Sequence, residues 1–133
     1  MSAEVLSGYL SDNFKIVKIA DHSAAGTSTI TSDELDTVGY DSVCFLTSFG
    51  TAAANNLVTM HQGAVSGSVA ASVALLASGT SDEDVVLDVQ HLLYRYLKLV
   101  GTRGTSSTLE SMWAILYNAR SKYNEWAFVY VAQ

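Results

Sequence analysis

Proline is absent from the 133 residues of this chain, cysteine occurs once, and only 15% of residues are charged. Each shortage excludes something. A single cysteine rules out an intrachain disulfide. Cys44 lies in the apolar run Val43-Cys44-Phe45-Leu46, where a buried, inert thiol is expected, in keeping with assembly in a reducing cytoplasm. Without proline and with few charges, strand edges lack two of the usual means of being blunted, so an oligomer that covers them is expected. Seven Lys and Arg stand against thirteen Asp and Glu, for a net charge of −6. No basic stripe is left to displace counterions from nucleic acid or to hold an anionic membrane, and neither is expected as a partner. Long apolar runs are missing too. The longest weakly polar stretch, 64–77, is broken by Ser66, Gly67, Ser68 and Ser72, well short of the roughly 18 residues that cross a bilayer. Met1 to Leu10 carries Glu4 and neither a basic start nor a continuous apolar centre, so a soluble, unsecreted protein is expected.

What is present is apolar and small. Hydrophobic residues make up 49% of the chain, and a domain of this size buries roughly two thirds of its unfolded surface around one core. The charge share lies below the roughly 25% of an ordinary soluble domain, with Ser, Thr, Ala and Gly in its place. A polar but thinly charged exterior suits a protein packed against copies or partners. Along the chain, the first strand is predicted at Phe14 to Ile19, after an N-terminal arm over residues 1–12. A turn is expected over Asp21 to Gly26, a polar strand over Thr27 to Ser32, and a helical turn or loop over Asp33 to Asp36. Ser42 to Phe49 reads as a strand with Val43, Phe45 and Phe49 on one face, and Asn56 to Gln62 as another. Residues 63–77 tolerate strand or helix, and extended structure with a bend at Gly67 is the reading adopted.

Asp84-Val85-Val86-Leu87-Asp88-Val89 alternates, with Val85, Leu87 and Val89 on one face and Asp84 and Asp88 on the other, the period of a sheet with one wet side. Tyr94 to Val100 and Met112 to Tyr117 follow, rich in aromatic and branched residues. In the tail, residues 123–133, Trp126, Phe128 and Tyr130 alternate with Ala127, Val129 and Val131, which reads as one more strand. Short strands, turn signals every 8 to 12 residues and no helical period describe a β-sandwich or barrel.

No catalytic pattern emerges. His22, His61 and His91 lack metal-ligand spacing, and Asp82-Glu83-Asp84 lacks the frame of a calcium loop. Neither a Gly-x-Ser-x-Gly elbow nor a phosphate-binding glycine loop occurs. Arg103 is expected at the exposed tip of a hairpin, Gly101 to Thr105, open to an intersubunit salt bridge. The expectation is a protein with no enzymatic activity, cofactor or metal.

Several segments resemble a family of small tailed-bacteriophage virion proteins encoded among head genes. They are Val17 to Asp21, Gly39 to Val43, Thr47 to Asn56, Gly79 to Val89, Arg95 to Leu99, Thr102 to Thr108 and Trp113 to Lys122. The chain departs from the family where Gly63-Ala64-Val65-Ser66-Gly67 replaces a Ser-Asp-Asp-Gly-Ser type of turn, and in its apolar tail. The resemblance implies decoration, or cement, proteins on the outside of icosahedral heads, usually trimers. The combined expectation is an all-β, single-domain antiparallel sandwich, jelly-roll or immunoglobulin-like, over residues 13–122, with a flexible arm and an extra C-terminal strand. Its partners would be the major capsid protein lattice and itself, as a homotrimer on the virion surface. Val5, Leu6, Tyr9 and Leu10 are the capsid-contact candidates, and Trp126, Phe128, Tyr130 and Arg103 the subunit-interface candidates. A head–tail joining or tail protein is the structural alternative. A displayed carbohydrate-binding module, with Tyr94 and Tyr96 as its platform, is the alternative of another class.

Overall fold

In the computed structural model, which describes residues 13–69, 71–77 and 84–119, every regular element is a strand. In chain order these are β1 (Phe14–Ala20), β2 (Ser23–Gly26), β3 (Ile30–Thr31), β4 (Leu35–Asp36), β5 (Tyr40–Ser48), β6 (Leu57–Gly63), β7 (Ala71–Ala77), β8 (Asp84–Val89), β9 (Tyr96–Thr102), β10 (Ser107–Leu109) and β11 (Met112–Ala119). A four-stranded sheet runs β1-β11-β5-β8, and a five-stranded sheet runs β3-β9-β6-β7 with β4 also on β9. β10 and β2 form a small third sheet, and all pairing is antiparallel.

Period-2 alternation builds the core. From the four-stranded sheet, Val43, Phe45, Val85, Met112, Ala114 and Leu116 turn inward. Leu35, Val58, Met60, Leu97 and Leu99 meet them from the other sheet, in a single buried cluster. Phe45, Phe49, Leu97, Leu99, Met112 and Leu116 are fully enclosed, each contributing roughly 1.5–3 kcal/mol. Gly101 sits mid-strand because a Cβ there would lie 2.5 Å from Leu109 Cδ2 and 3.1 Å from Met112 Cε; these two side chains fill its place.

The strands read at Phe14, Ser42, Asn56, Asp84 and Met112 are present, and the chain turns at Gly67 with φ +86°. Other boundaries differ. The expected turn at Asp21 to Gly26 contains β2. The polar strand at Thr27 to Ser32 shrinks to β3, and Asp33 to Asp36 forms β4 rather than a helical turn. β9 supplies the reason. Its free edge accepts two short segments in line, Ile30 opposite Gly101 and Leu35 opposite Leu97. The break between them is closed at Ser32, whose N–H donates to Leu99 O at 2.9 Å and whose Oγ accepts from Leu99 N at 2.9 Å. β9 also starts late, at Tyr96, because His91 adopts a left-handed φ of 58° and Leu92 N donates to Asp41 O at 2.9 Å. That holds the preceding stretch off the ladder.

The expectation for Arg103 is corrected. β9 and β10 belong to different sheets, so Gly101 to Thr105 is a crossing between layers and not a hairpin tip. Arg103 is 6% exposed. Its Nε donates to Ser28 O at 2.9 Å, Nη1 to Ala24 O at 2.6 Å and Ser107 O at 2.7 Å, and Nη2 to Ser28 Oγ at 2.8 Å. A guanidinium so fully occupied is not free for a neighbour. Beside it the fully buried Asn56 donates to Thr51 O at 2.9 Å and accepts from Gly104 N at 2.7 Å. The positions 1–12 and 123–133, with Val5, Leu6, Tyr9, Leu10, Trp126, Phe128 and Tyr130, lie outside the described residues.

Removing the guanidinium leaves buried carbonyls unpaired, each costing about 1–3 kcal/mol. Arg103→Met is expected to lower unfolding stability by about 3 kcal/mol in urea denaturation. A loss under about 1 kcal/mol, an ordinary surface value, would show that this network is not what ties the loops at this end together.

Candidate interaction surface

β11 alternates without a polar face. Met112, Ala114 and Leu116 are buried, which leaves Trp113, Ile115 and Tyr117 on the outer side of the sheet. Register extends that side across all four strands. One row holds Lys18, Trp113, Leu46 and Val86, and the next holds Ile16, Ile115, Cys44 and Asp88. Phe14, Tyr117 and Ser42 make a third. Ile16 is 53% exposed, Val86 55% and Trp113 41%, while Leu46, Ile115 and Cys44 are half-buried among them. An antiparallel sheet ordinarily turns polar residues to water on its outer side. A contiguous apolar patch there marks an interaction surface.

Polar groups fringe this patch. Lys18 Nζ lies 5.7 Å from the Trp113 ring centroid and 3.0 Å from Asp21 Oδ1. Tyr117 donates its hydroxyl to Asp88 and accepts from Gln90 Nε2 at 3.3 Å. The hydrogen bond to Asp88 raises the phenol above its ordinary pKa. Cys44 belongs to the outer face and is half-buried where a buried thiol is expected; burial and the Asp88 charge push its pKa up.

Along β3, β9 and β6 the other sheet's outer side is more polar. Lys98, His61, Thr59, Thr31 and Thr102 share it with Val100 and Leu57. At its margin Arg95 clamps Asp36 through Nε at 2.8 Å and Nη2 at 2.9 Å, holding that carboxyl below its ordinary pKa. Glu34 is lowered likewise, by the Ser66 hydroxyl at 2.6 Å and the Gly67 N–H at 2.9 Å, which ties the β3–β4 segment to the β6–β7 turn.

The other candidates stay apart. His22 Nδ1 lies 3.1 Å from Glu110 Oε1, and His91 Nδ1 lies 3.2 Å from Asp41 Oδ2. His61 stands mid-sheet opposite Lys98. Among the described residues, no three His, Cys, Asp or Glu side chains are grouped to hold a metal ion. Asp84 is exposed at the start of β8, and Asp82 and Glu83 lie outside the described residues. Tyr94 is exposed in the loop before β9, whereas Tyr96 is half-buried with the Arg95 guanidinium 5.1 Å from its ring centroid; the two do not form one open platform.

No protein-family model and no curated protein matches the chain. Among solved structures it is similar, at 14% identity and a TM-score of 0.46, to a chain from Bacillus endospore appendages, described as a novel family of disulfide-linked pili. That match covers 80% of this chain and 89% of that one. It is also similar to a chain of infectious bursal disease virus, Gt strain, at 14% identity and a TM-score of 0.42, over 78% of this chain and 32% of that one. The chain thus spans about a third of the viral chain it matches. Similarity at this level identifies neither a family nor a function.

Two outcomes test the surface description. Ile16→Lys and Val86→Lys place charge where water already reaches, so each is expected to change unfolding stability by less than about 1 kcal/mol in urea, with a fall in the binding of a hydrophobic dye. Unchanged dye binding would mean that the patch is not open. The second outcome is pH dependence. A carboxyl with a lowered folded pKa adds stability that is complete above its unfolded value, about 4, and is lost as pH falls through the folded one. The urea midpoint is therefore expected to drop as the solution is acidified below about 4, and to drop less in the double variant Asp36→Asn, Glu34→Gln. Equal losses in both proteins would refute the assignment.

Proposed function

We propose that this chain is a non-enzymatic structural protein of a tailed-phage virion, a decoration protein that binds the outside of the assembled head as a homotrimer. The observation that carries the reading is the apolar outer face of the β1-β11-β5-β8 sheet. A rigid sandwich that leaves such a face open is built to be covered by protein. The resemblance of residues 13–122 to virion proteins encoded among head genes supplies the setting. The thin charge of the exterior, 15%, supports a life among packed copies.

In this reading the arm, with Val5, Leu6, Tyr9 and Leu10, meets the major capsid protein lattice, and the sheet face and the tail meet sister subunits. The mechanism is mass action. A protein that binds only the expanded lattice stabilises that lattice by its own binding free energy. Many copies act together, so individually weak contacts suffice. The chain is made and assembled in the host cytoplasm and ends on the outer surface of the head.

Co-sedimentation with heads formed by the major capsid protein of the same genome tests this. The expected result is saturable binding to expanded heads, absent from unexpanded ones, with a higher temperature of head disruption. Purified protein that never sediments with expanded heads would overturn the reading.

A further inference from the structure

The open sheet face and the C-terminal segment pose one shared problem, and each has the shape of the other's solution. β11 ends at Ala119, whose Cα partner is Tyr40, and β1 begins nearby with Phe14 opposite Tyr117. The chain therefore leaves the sandwich at the end of the apolar sheet itself. Residues 120–133 follow. Within them, Asn124 to Val131 spans roughly 25 Å when extended at about 3.3 Å per residue, the length of the eight-residue β11. Trp126, Phe128 and Tyr130 recur every second residue. The outer rows of the sheet repeat with that same period, at Trp113, Ile115 and Tyr117 on β11. The two periods match, which is what docking of an extended segment along the rows requires.

The segment is apolar on its second side as well, through Ala127, Val129 and Val131, and Glu125 is the only charged residue from Tyr123 onward. A strand apolar on both sides has to be enclosed on both. Among the described residues one such face is present, so a chain folded back on its own sheet covers one side of the segment and leaves the other wet. Two copies enclose both. The connection points the same way. Arg120-Ser121-Lys122-Tyr123 contains a single residue of the turn-forming types, Ser121, and neither glycine nor proline, so a tight reversal onto the same sheet is only weakly encoded there. We propose that the outer face of the β1-β11-β5-β8 sheet, at Ile16, Trp113, Ile115, Leu46 and Val86, receives the C-terminal segment 123–131 of a second copy. The inference deepens the proposed assembly role and rests on it only in treating the face as a subunit contact.

Cys44 makes the test direct, because the chain's single thiol lies in the middle row of the receiving face. Trp126→Cys and Phe128→Cys, made one at a time in the full chain, are treated with a short bismaleimide at mildly alkaline pH. The expected product has twice the chain mass on a denaturing gel, and disappears when Cys44→Ser is added. Ile16→Lys with Val86→Lys, both at exposed positions and checked for an unchanged urea midpoint, is expected to abolish it and to reduce the native mass to that of one chain. A product of single-chain mass with an internal link would overturn the proposal in favour of self-covering, and no link from either position would overturn it outright. A deletion of residues 123–133 that stays folded and keeps its oligomeric mass would do the same. The proposed function fails separately. Cross-linked copies that never bind heads sink the decoration role alone, and a single-chain protein that does bind them sinks this inference alone.

Discussion

Everything in this molecule is arranged around a strand with no polar side. β11 lies between β1 and β5, so both of its edges are paired, and its inward residues Met112, Ala114 and Leu116 are among the most buried of the core. Once those three are inside, the pleat leaves Trp113, Ile115 and Tyr117 no other place than the far side of the sheet. A shift of register by one residue would exchange the two sets. It would put the Trp113 ring where Ala114 now packs against the opposing layer, which has no room for it. The core therefore fixes the register, and the register creates the exposed apolar face. The face is a consequence of how the interior is filled, and no local softening of the fold removes it.

A second constraint makes that face stiff. At the opposite end of the sandwich from the point where the chain leaves β11, buried polar groups close the loops. Arg103 spans Ala24, Ser28 and Ser107, Asn56 bridges Thr51 to Gly104, and the Ser107 hydroxyl accepts from Thr51 N at 2.9 Å. The acceptors around Arg103 are neutral oxygens, suited to a delocalised, weakly hydrated cation. A half-satisfied network of this kind would be worse than none. Fully satisfied, it holds three separate loops to one another, so the sheets cannot splay to absorb the load that a docked partner imposes.

The sequence disclosed the strands and hid their sides. Asp84 to Val89 was legible in full because Asp84 and Asp88 mark the side turned away from the core, and the structure places Val85, Leu87 and Val89 against the core as that alternation requires. Met112 to Tyr117 and Val43 to Leu46 carry no such mark. Both faces of these strands are apolar, so periodicity groups the residues of each face and is silent on which face is inside. Arg103 was misplaced by a different cause. A Gly-x-x-Gly neighbourhood looks like a hairpin tip when only local residues are considered. What buries Arg103 is the approach of Ala24 and Ser28, more than seventy positions earlier in the chain. The short β3 and β4 segments were likewise decided by the free edge of β9, a long-range partner that no local window contains.

The edges explain why an open face need not lead to fibres. Edge strands left regular and unguarded invite endless head-to-tail pairing, and this chain has no proline with which to interrupt one. It uses other means. The outer edge of β9 is covered by two short segments with a break at Ser32. β1 carries a bulge between Lys18 and Ala20 and an exposed Lys15 at a register position that belongs to the inner face, opposite Leu116. β8 bears Asp84 and Asp88. At these three edges association through strand addition is obstructed where association through the face is not; β7, the remaining edge, carries no charge over Ala71–Ala77. A contact between one copy's segment and another's face yields a particle of fixed size only where it closes, by reciprocal exchange between two copies or around a ring.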